Sequence, residues 1–281
     1  MTEPDPRLTA ARGDIAALHL SGQVVSRRYV EGSRFQVAAA HSALRRTADA
    51  ASEQVNQALF GETFMAYDQS HGWAWGQMEN DGYVGWMALA SLTPEVVAAT
   101  HRVRALRTFV FERPDLKSVP MMALSMNAKL TPGDSVQGFR KLARSGWVFA
   151  GHVGSLGEVE PDFVRVAERF TGSPYLWGGR DSIGLDCSGL VQAALEAAGV
   201  EALRDSDMQE RSLGVEIAPD LTDLKRGDLV FWPGHVAIML DATRVIHANA
   251  WHMAVEVEDL AGAVARIRLA GGEVRCVRRL G

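Results

Sequence analysis

In the stretch GLDCSGLVQAALEAAGV, Gly184 to Val200, one of only two cysteines in a 281-residue chain stands at a glycine-bearing turn, at the head of an amphipathic run. A cysteine at a helix start meets free N–H groups and the positive end of the helix dipole. Both favour thiolate over thiol and make the sulfur a better nucleophile at neutral pH. The N–H of Cys187 itself is also available to an oxyanion. Cys276, in EVRCVRRL, has neither a glycine turn nor a helix start and reads as a buried, inert thiol. Two cysteines make no disulfide framework, and no CxxC or Cys/His cluster indicates a zinc site.

A nucleophilic cysteine needs a base. PGHVAIML places His235 at the head of an apolar strand, after a Pro-Gly turn. VIHANA places His247 at the end of the next strand. If those strands are antiparallel neighbours, the two imidazoles lie side by side and the second orients the first, as the third member of a triad does. His19, His41, His71, His101, His152 and His252 have no comparable setting.

The elements that must position these groups fall into blocks. The first 20 residues read as an arm, with a short helix around Asp14–His19. From about residue 22 to 93 the chain reads as β, in runs such as GQVVSRRYV, FMAYDQSHGWAWGQM and DGYVGWMAL. One alanine-rich segment within RFQVAAAHSALRRTADAASEQVNQALFGE is expected to be locally helical. A second β block runs from about 101 to 157, with RPDLKS as a turn. SGWVFAGHVGSL closes it much as DGYVGWMALASL closes the first, which suggests an internal repeat of about 60 residues and two small β-barrels. LTPEVVAAT reads as the linker. Beyond residue 159, EPDFVRVAERFTG carries helix start and stop signals, and CSGLVQAALEAAGV is a second helix closed by Gly199. GDLVFW, HVAIML and RVIHA follow as strands, so this part reads as α+β.

Composition narrows the function. A net charge of −5 argues against nucleic acid or an anionic membrane as partner. No run approaches the ~20 apolar residues of a membrane span. The N-terminus, MTEPDPRLTAARGDIAALHLSG, lacks a basic region followed by an apolar one, so a cytoplasmic location is expected.

The set YLWGG, DCSGLVQ, GDLVFW…GHVAIML and VIHA resembles the NlpC/P60 family of papain-like cell-wall cysteine peptidases, over roughly residues 160–281. The resemblance implies Cys187 as nucleophile, His235 as base and His247 in the third position, which the family fills with His, Asn or Gln. Tyr175, twelve residues before Cys187, is then placed to donate its phenol to the oxyanion. The first half resembles bacterial SH3 domains. The implied fold class is multidomain: two small all-β SH3-like barrels followed by an α+β papain-like catalytic domain. The expected boundaries are 1–21 for the arm, 22–93 and 103–158 for the SH3-like domains, 94–102 for the linker and 159–281 for the peptidase.

The whole arrangement looks like the cytoplasmic endopeptidases that cut γ-D-glutamyl–diamino acid bonds in peptides recycled from murein. There the first SH3-like module walls off the groove, so that a free N-terminal L-alanine is required. The resemblance implies Asp186, Tyr83 and Glu62 around the ammonium, with Glu79 and Asp81 as rivals to Glu62. It implies Ser188 and Ser206 at the D-glutamate α-carboxylate, and Trp177 as a pocket wall. No cofactor and no obligate protein partner are implied; the substrate is an L-Ala-γ-D-Glu-diamino acid peptide. Two other readings stand beside it: a hydrolase of intact peptidoglycan anchored by its SH3-like modules, and a non-catalytic muropeptide-binding protein.

Overall fold

A computed structural model describes residues 4–144 and 146–281, and the chain divides into two compact units, Met1–Leu156 and Gly157–Gly281.

The first unit is built from antiparallel strands. Gln54–Leu59, His41–Arg45, Val84–Ala88, Trp73–Met78, Thr63–Ser70, Ser33–Val37 and Leu92–Thr93 form one sheet in that order. The alanine-rich segment is therefore strand and turn, not helix. Ser42 and Leu44 point inward from the His41–Arg45 strand, while Ala50 and Ala51 lie in a turn that Asp49 closes by accepting from Ala51 N and Ser52 N. Turn chemistry and strand pairing there override alanine's helix propensity. The short helix expected around Asp14–His19 is not formed as an α-helix either. Ala16–Ala17 pairs with Tyr29–Val30, and a 3₁₀ turn follows at Leu18–Leu20. Ala10, Ile15 and Ala17 bury against Trp75, and the Arg12 guanidinium sits over Trp75 and Trp86.

Residues 101–155 form a five-stranded and a three-stranded sheet around Val103, Val110, Leu124, Leu130, Leu142 and Val148. The strand His101–Val103 begins inside the expected linker. This block ends as strand Trp147–Phe149, 3₁₀ turn Ala150–His152 and strand Val153–Ser155. The earlier block ends as Val84–Ala88, Leu89–Ser91 and Leu92–Thr93, in the same order of elements.

The second unit begins with α1 (Phe163–Glu168), capped by Asp162, whose side chain accepts from Val164 N and Arg165 N. Next come the hairpin Arg180–Asp181/Gly184–Leu185, α2 (Cys187–Ala197) and α3 (Ser206–Ser212). Six antiparallel strands follow: β1 (Val215–Ile217), β2 (Leu229–Trp232), β3 (His235–Met239), β4 (Arg244–Asn249), β5 (Ala254–Asp259) and β6 (Cys276–Arg279). They are ordered β1-β6-β2-β3-β4-β5. Helix α4 (Leu260–Leu269) lies between β5 and β6 and was not anticipated, although Asp259 caps it through Gly262 N. Strand side chains alternate between faces. Val230, Trp232, Ala237, Met239 and Val245 pack with Leu260 and Ala263 of α4. The intervening Phe231, Val236, Ile238 and Ile246 are fully buried, and α2 packs on β3 and β4.

Candidate active site

Cys187 is the first residue of α2. Asp186 is the N-cap: its Oδ1 accepts from Gly189 N at 2.8 Å, satisfying one of the helix's open donors. Helix α2 is buried on almost every face, so the cysteine cannot move without the whole layer. The backbone N–H groups of Val236 and Ser188 are near enough to the Cys187 sulfur to favour its thiolate. The sulfur therefore lies beside the head of β3, at the residue after His235.

A tight turn at Pro233–Gly234 closes the β2–β3 hairpin and sets Trp232 opposite His235. Gly234 has φ +70°, a conformation that favours glycine. β3 and β4 are antiparallel neighbours, and His235 Nε2 lies 2.8 Å from His247 Nδ1. The expected pair is thus in direct contact, although His247 lies within β4 rather than at its end. His247 continues outward: its Nε2 is 2.7 Å from Glu258 Oε1 on β5. Arg266 of α4 grips both oxygens of Glu258, at 2.6 and 2.5 Å. Neither Glu258 nor Arg266 was anticipated. Beside the imidazoles is a cavity of about 410 Å³, whose lining includes Trp232, Pro233, Trp251 and Ile267.

Electrostatically, Cys187 and His235 rest neutral. Burial, and then the Asp186 carboxylate, push the thiol up to about 12. Burial, and then His247, push the His235 imidazolium down to about 3. The helix start alone would lower the thiol, and here desolvation outweighs it. The Tyr175 phenol is driven upward by burial and by the nearby Cys187 and Asp186, so it stays a donor.

Around the nucleophile lies a second polar cluster. Arg204 is buried and binds Asp186 through both guanidinium nitrogens, at 2.9 and 2.7 Å. It also donates to Ser188 Oγ and to the Gly179 carbonyl. Ser188 Oγ in turn donates to Asp186. Gln209 of α3 ties Ser188 O to Leu203 O. Ser206 is the buried first residue of α3, and Trp177 is largely exposed. Asp186 was expected at the substrate ammonium, and its carboxylate is bound by Arg204. The short sequence LRDSDMQ holds Arg204 next to the expected Ser206, but nothing in it reveals that the arginine is buried.

Glu62 and Tyr83 lie in the first unit. Glu62 accepts from Leu59 N and from Asn80 Nδ2. Together with Glu79, which binds Arg34 at 2.7 Å, it lines a cleft of about 650 Å³. Tyr83 is buried, and its N–H donates to Asp81, which also accepts from Asn56. Among the described residues no His/Cys/Asp/Glu group is arranged to hold a metal ion, and no helix is long and apolar enough to cross a membrane.

Comparison with known proteins gives this geometry a context. Residues 172–272 match the NlpC/P60 family, and residues 44–92 match the bacterial dipeptidyl-peptidase SH3 domain. Dipeptidyl-peptidase 6 of Lysinibacillus sphaericus is 32% identical over 167 residues, 54% of this chain and 61% of that protein. The gamma-D-glutamyl-L-lysine dipeptidyl-peptidase of Bacillus subtilis is 30% identical over 105 residues, 34% of each. This chain thus spans less than two thirds of either relative. An NlpC/P60 family protein from Bacillus cereus superposes with a TM-score of 0.74 at 20% identity, over 88% of this chain and 99% of that one, which is a likeness of fold. The chain carries a bacterial dipeptidyl-peptidase SH3 domain in its first unit and, in its second, a domain of the NlpC/P60 peptidase family.

Proposed function

We propose that this chain is a cysteine endopeptidase that hydrolyses the γ-D-glutamyl–diamino acid bond of murein-derived peptides bearing a free N-terminal L-alanine, acting in the cytoplasm. The observation that carries the reading is Cys187 at the head of a buried helix, its sulfur beside β3, with the His235–His247 pair at 2.8 Å. The sulfur attacks the γ-glutamyl carbonyl while His235 takes the thiol proton. The carbonyl oxygen becomes an oxyanion that accepts from Cys187 N–H and the Tyr175 phenol. His235 then protonates the departing amine and leaves a thioester. Water, activated by His235, adds to the thioester, and collapse returns the thiol and frees L-Ala-D-Glu.

Ser188 and Ser206 offer hydroxyls to the D-glutamate α-carboxylate, Trp177 walls the pocket, and the cavity beside the imidazoles suits the diamino acid. Asp186 and Tyr83, with Glu62 or its rivals Glu79 and Asp81, are read as the groups for the substrate ammonium, and Asp186 also holds the nucleophile turn through Arg204. The two β blocks, taken as residues 22–93 and 103–158 around a linker at 94–102, are read as two SH3-like modules ahead of a papain-like domain at 159–281. Two relatives named as γ-D-glutamyl-L-lysine dipeptidyl-peptidases support the substrate class.

The test offers purified protein the free tripeptide L-Ala-γ-D-Glu-diamino acid and its N-acetylated form, with products read by mass spectrometry. Cleavage after D-glutamate is expected for the free form. Acetylation removes the substrate's charge and adds bulk at the amine, and a loss of roughly 10²–10³-fold in kcat/KM, about 3–4 kcal/mol, is expected. Equal rates would remove the free-amine requirement; no cleavage of either would remove the substrate class.

A further inference from the structure

The two imidazoles are useful only in one arrangement of their protons. His235 bonds His247 through Nε2, so the nitrogen left to take the thiol proton is Nδ1. It can do so only if Nδ1 carries a lone pair and Nε2 carries the hydrogen. Nothing inside the His235–His247 contact decides this, because each ring can donate or accept. The decision has to come from outside the pair.

Glu258 supplies it. A carboxylate only accepts, and Glu258 is held well below its ordinary range, at about 2, by the Arg266 and His247 hydrogen bonds that outweigh its partial burial. Its contact with His247 Nε2 therefore needs a hydrogen on that nitrogen. A neutral imidazole carries one hydrogen, so His247 Nδ1 is an acceptor. His235 Nε2 must then be the donor of the 2.8 Å contact, and His235 Nδ1 is left as the base.

Arg266 completes the device. It donates two hydrogen bonds to the two Glu258 oxygens, which fixes the plane of the carboxylate. Its charge also offsets that of Glu258. An imidazolium would donate from Nδ1 and could not accept from His235. The His247 side chain is fully buried, so water does not compete for either nitrogen. An ordinary surface ion pair between a strand and a helix would need no such contact with a buried ring.

We propose that Glu258, clamped by Arg266, is a positioning residue that sets the tautomer of both imidazoles and so aims the lone pair of His235 at the nucleophile. The proposal deepens the peptidase reading and rests on it for the role of His235. Glu258→Gln keeps the shape but presents one N–H₂ group. Arg266 will retain the amide oxygen, so the N–H₂ faces His247 and inverts both tautomers. Inverting the tautomer of a triad histidine directly costs about 10⁴-fold in kcat. One link further out, the expected loss is about 10- to 100-fold in kcat with little change in KM.

The test is a cycle with His247→Asn, plus a spectroscopic reading of the tautomers. The asparagine oxygen accepts from His235 Nε2 without instruction from position 258. In that background Glu258→Gln should therefore cost no more than about two-fold. An equal loss in both backgrounds, or an unchanged kcat in the single variant, overturns the proposal. ¹⁵N NMR of histidine-labelled wild-type protein reads the same point without turnover or substitution. Protons on Nε2 of both His235 and His247 are expected, and a neutral His247 protonated on Nδ1 overturns the proposal. Because that reading needs no catalysis, failure of the peptidase assignment would show separately, as absence of cleavage by the wild type.

Discussion

Cys187 is subject to two opposed effects: the helix start favours a thiolate, while burial and Asp186 favour the thiol. With the thiol raised to about 12 and His235 lowered to about 3, the resting site is a neutral pair across the physiological range. A depressed His235 stays unprotonated as pH falls, and a raised thiol stays protonated as pH rises. Alkylation of Cys187 by iodoacetamide should therefore show no inflection between about pH 3.5 and 7.5, where activated cysteine thiols titrate. An inflection in that window would mean a preformed thiolate. His235→Ala should cost about 10²–10⁴-fold in kcat, because the base itself is lost. His247→Ala should cost less than His235→Ala, because it removes orientation and not the base itself. A larger loss at His247 would reverse the two roles. Cys187 and His235 were legible because each sits at an element end marked by glycine or proline, DCSG and PGH, and His247 because VIHA reads as the next strand. Arg204, Glu258 and Arg266 were not. Each is a charged residue on a polar-looking stretch, and its meaning arises from a partner on another element.

At the scale of elements, α2 is the part that everything else braces. Gly189 lets the helix approach the nucleophile loop closely, since a Cβ there would run into the Gly179 carbonyl oxygen. Gly189→Ala should therefore shift the helix and cost about 1–3 kcal/mol in denaturant unfolding, with a matching loss of activity. Arg204→Met strands the buried Asp186 carboxylate, and about 3–5 kcal/mol is expected from that. A stability change under about 1 kcal/mol would show that water reaches Asp186. The main strands and α2 were readable from period and turn signals. The alanine-rich stretch misled because its alanines are spread over turns between strands, where Asp49 and Ser52 set the backbone. Helix α4 was overlooked because LAGAVARIRL follows directly on the strand β5, so no loop separates the two periods; its cap, Asp259, was the available signal.

For the whole molecule, the requirement for a free amine separates the recycling proposal from the wall-hydrolase alternative. Free tripeptide should then be cut and intact sacculus left whole, because alanine joined to glycan has no ammonium. Release of peptides from sacculus at a comparable rate would favour the wall-hydrolase reading while keeping the cysteine. The repeated strand, 3₁₀ turn and strand that closes both β blocks was visible in the sequence as the echo of DGYVGWMALASL in SGWVFAGHVGSL. The pairing of N-terminal residues with the first β block was not, since Ala10, Ile15 and Ala17 are too short an apolar run to announce a partner. The most direct measurement is the cleavage rate of free L-Ala-γ-D-Glu-diamino acid peptide by Cys187→Ser, followed by mass spectrometry beside the wild type. The account predicts that cleavage falls to background while circular dichroism and peptide binding match the wild type, because a hydroxyl is far less acidic than a thiol. Turnover within a few-fold of wild type would contradict it.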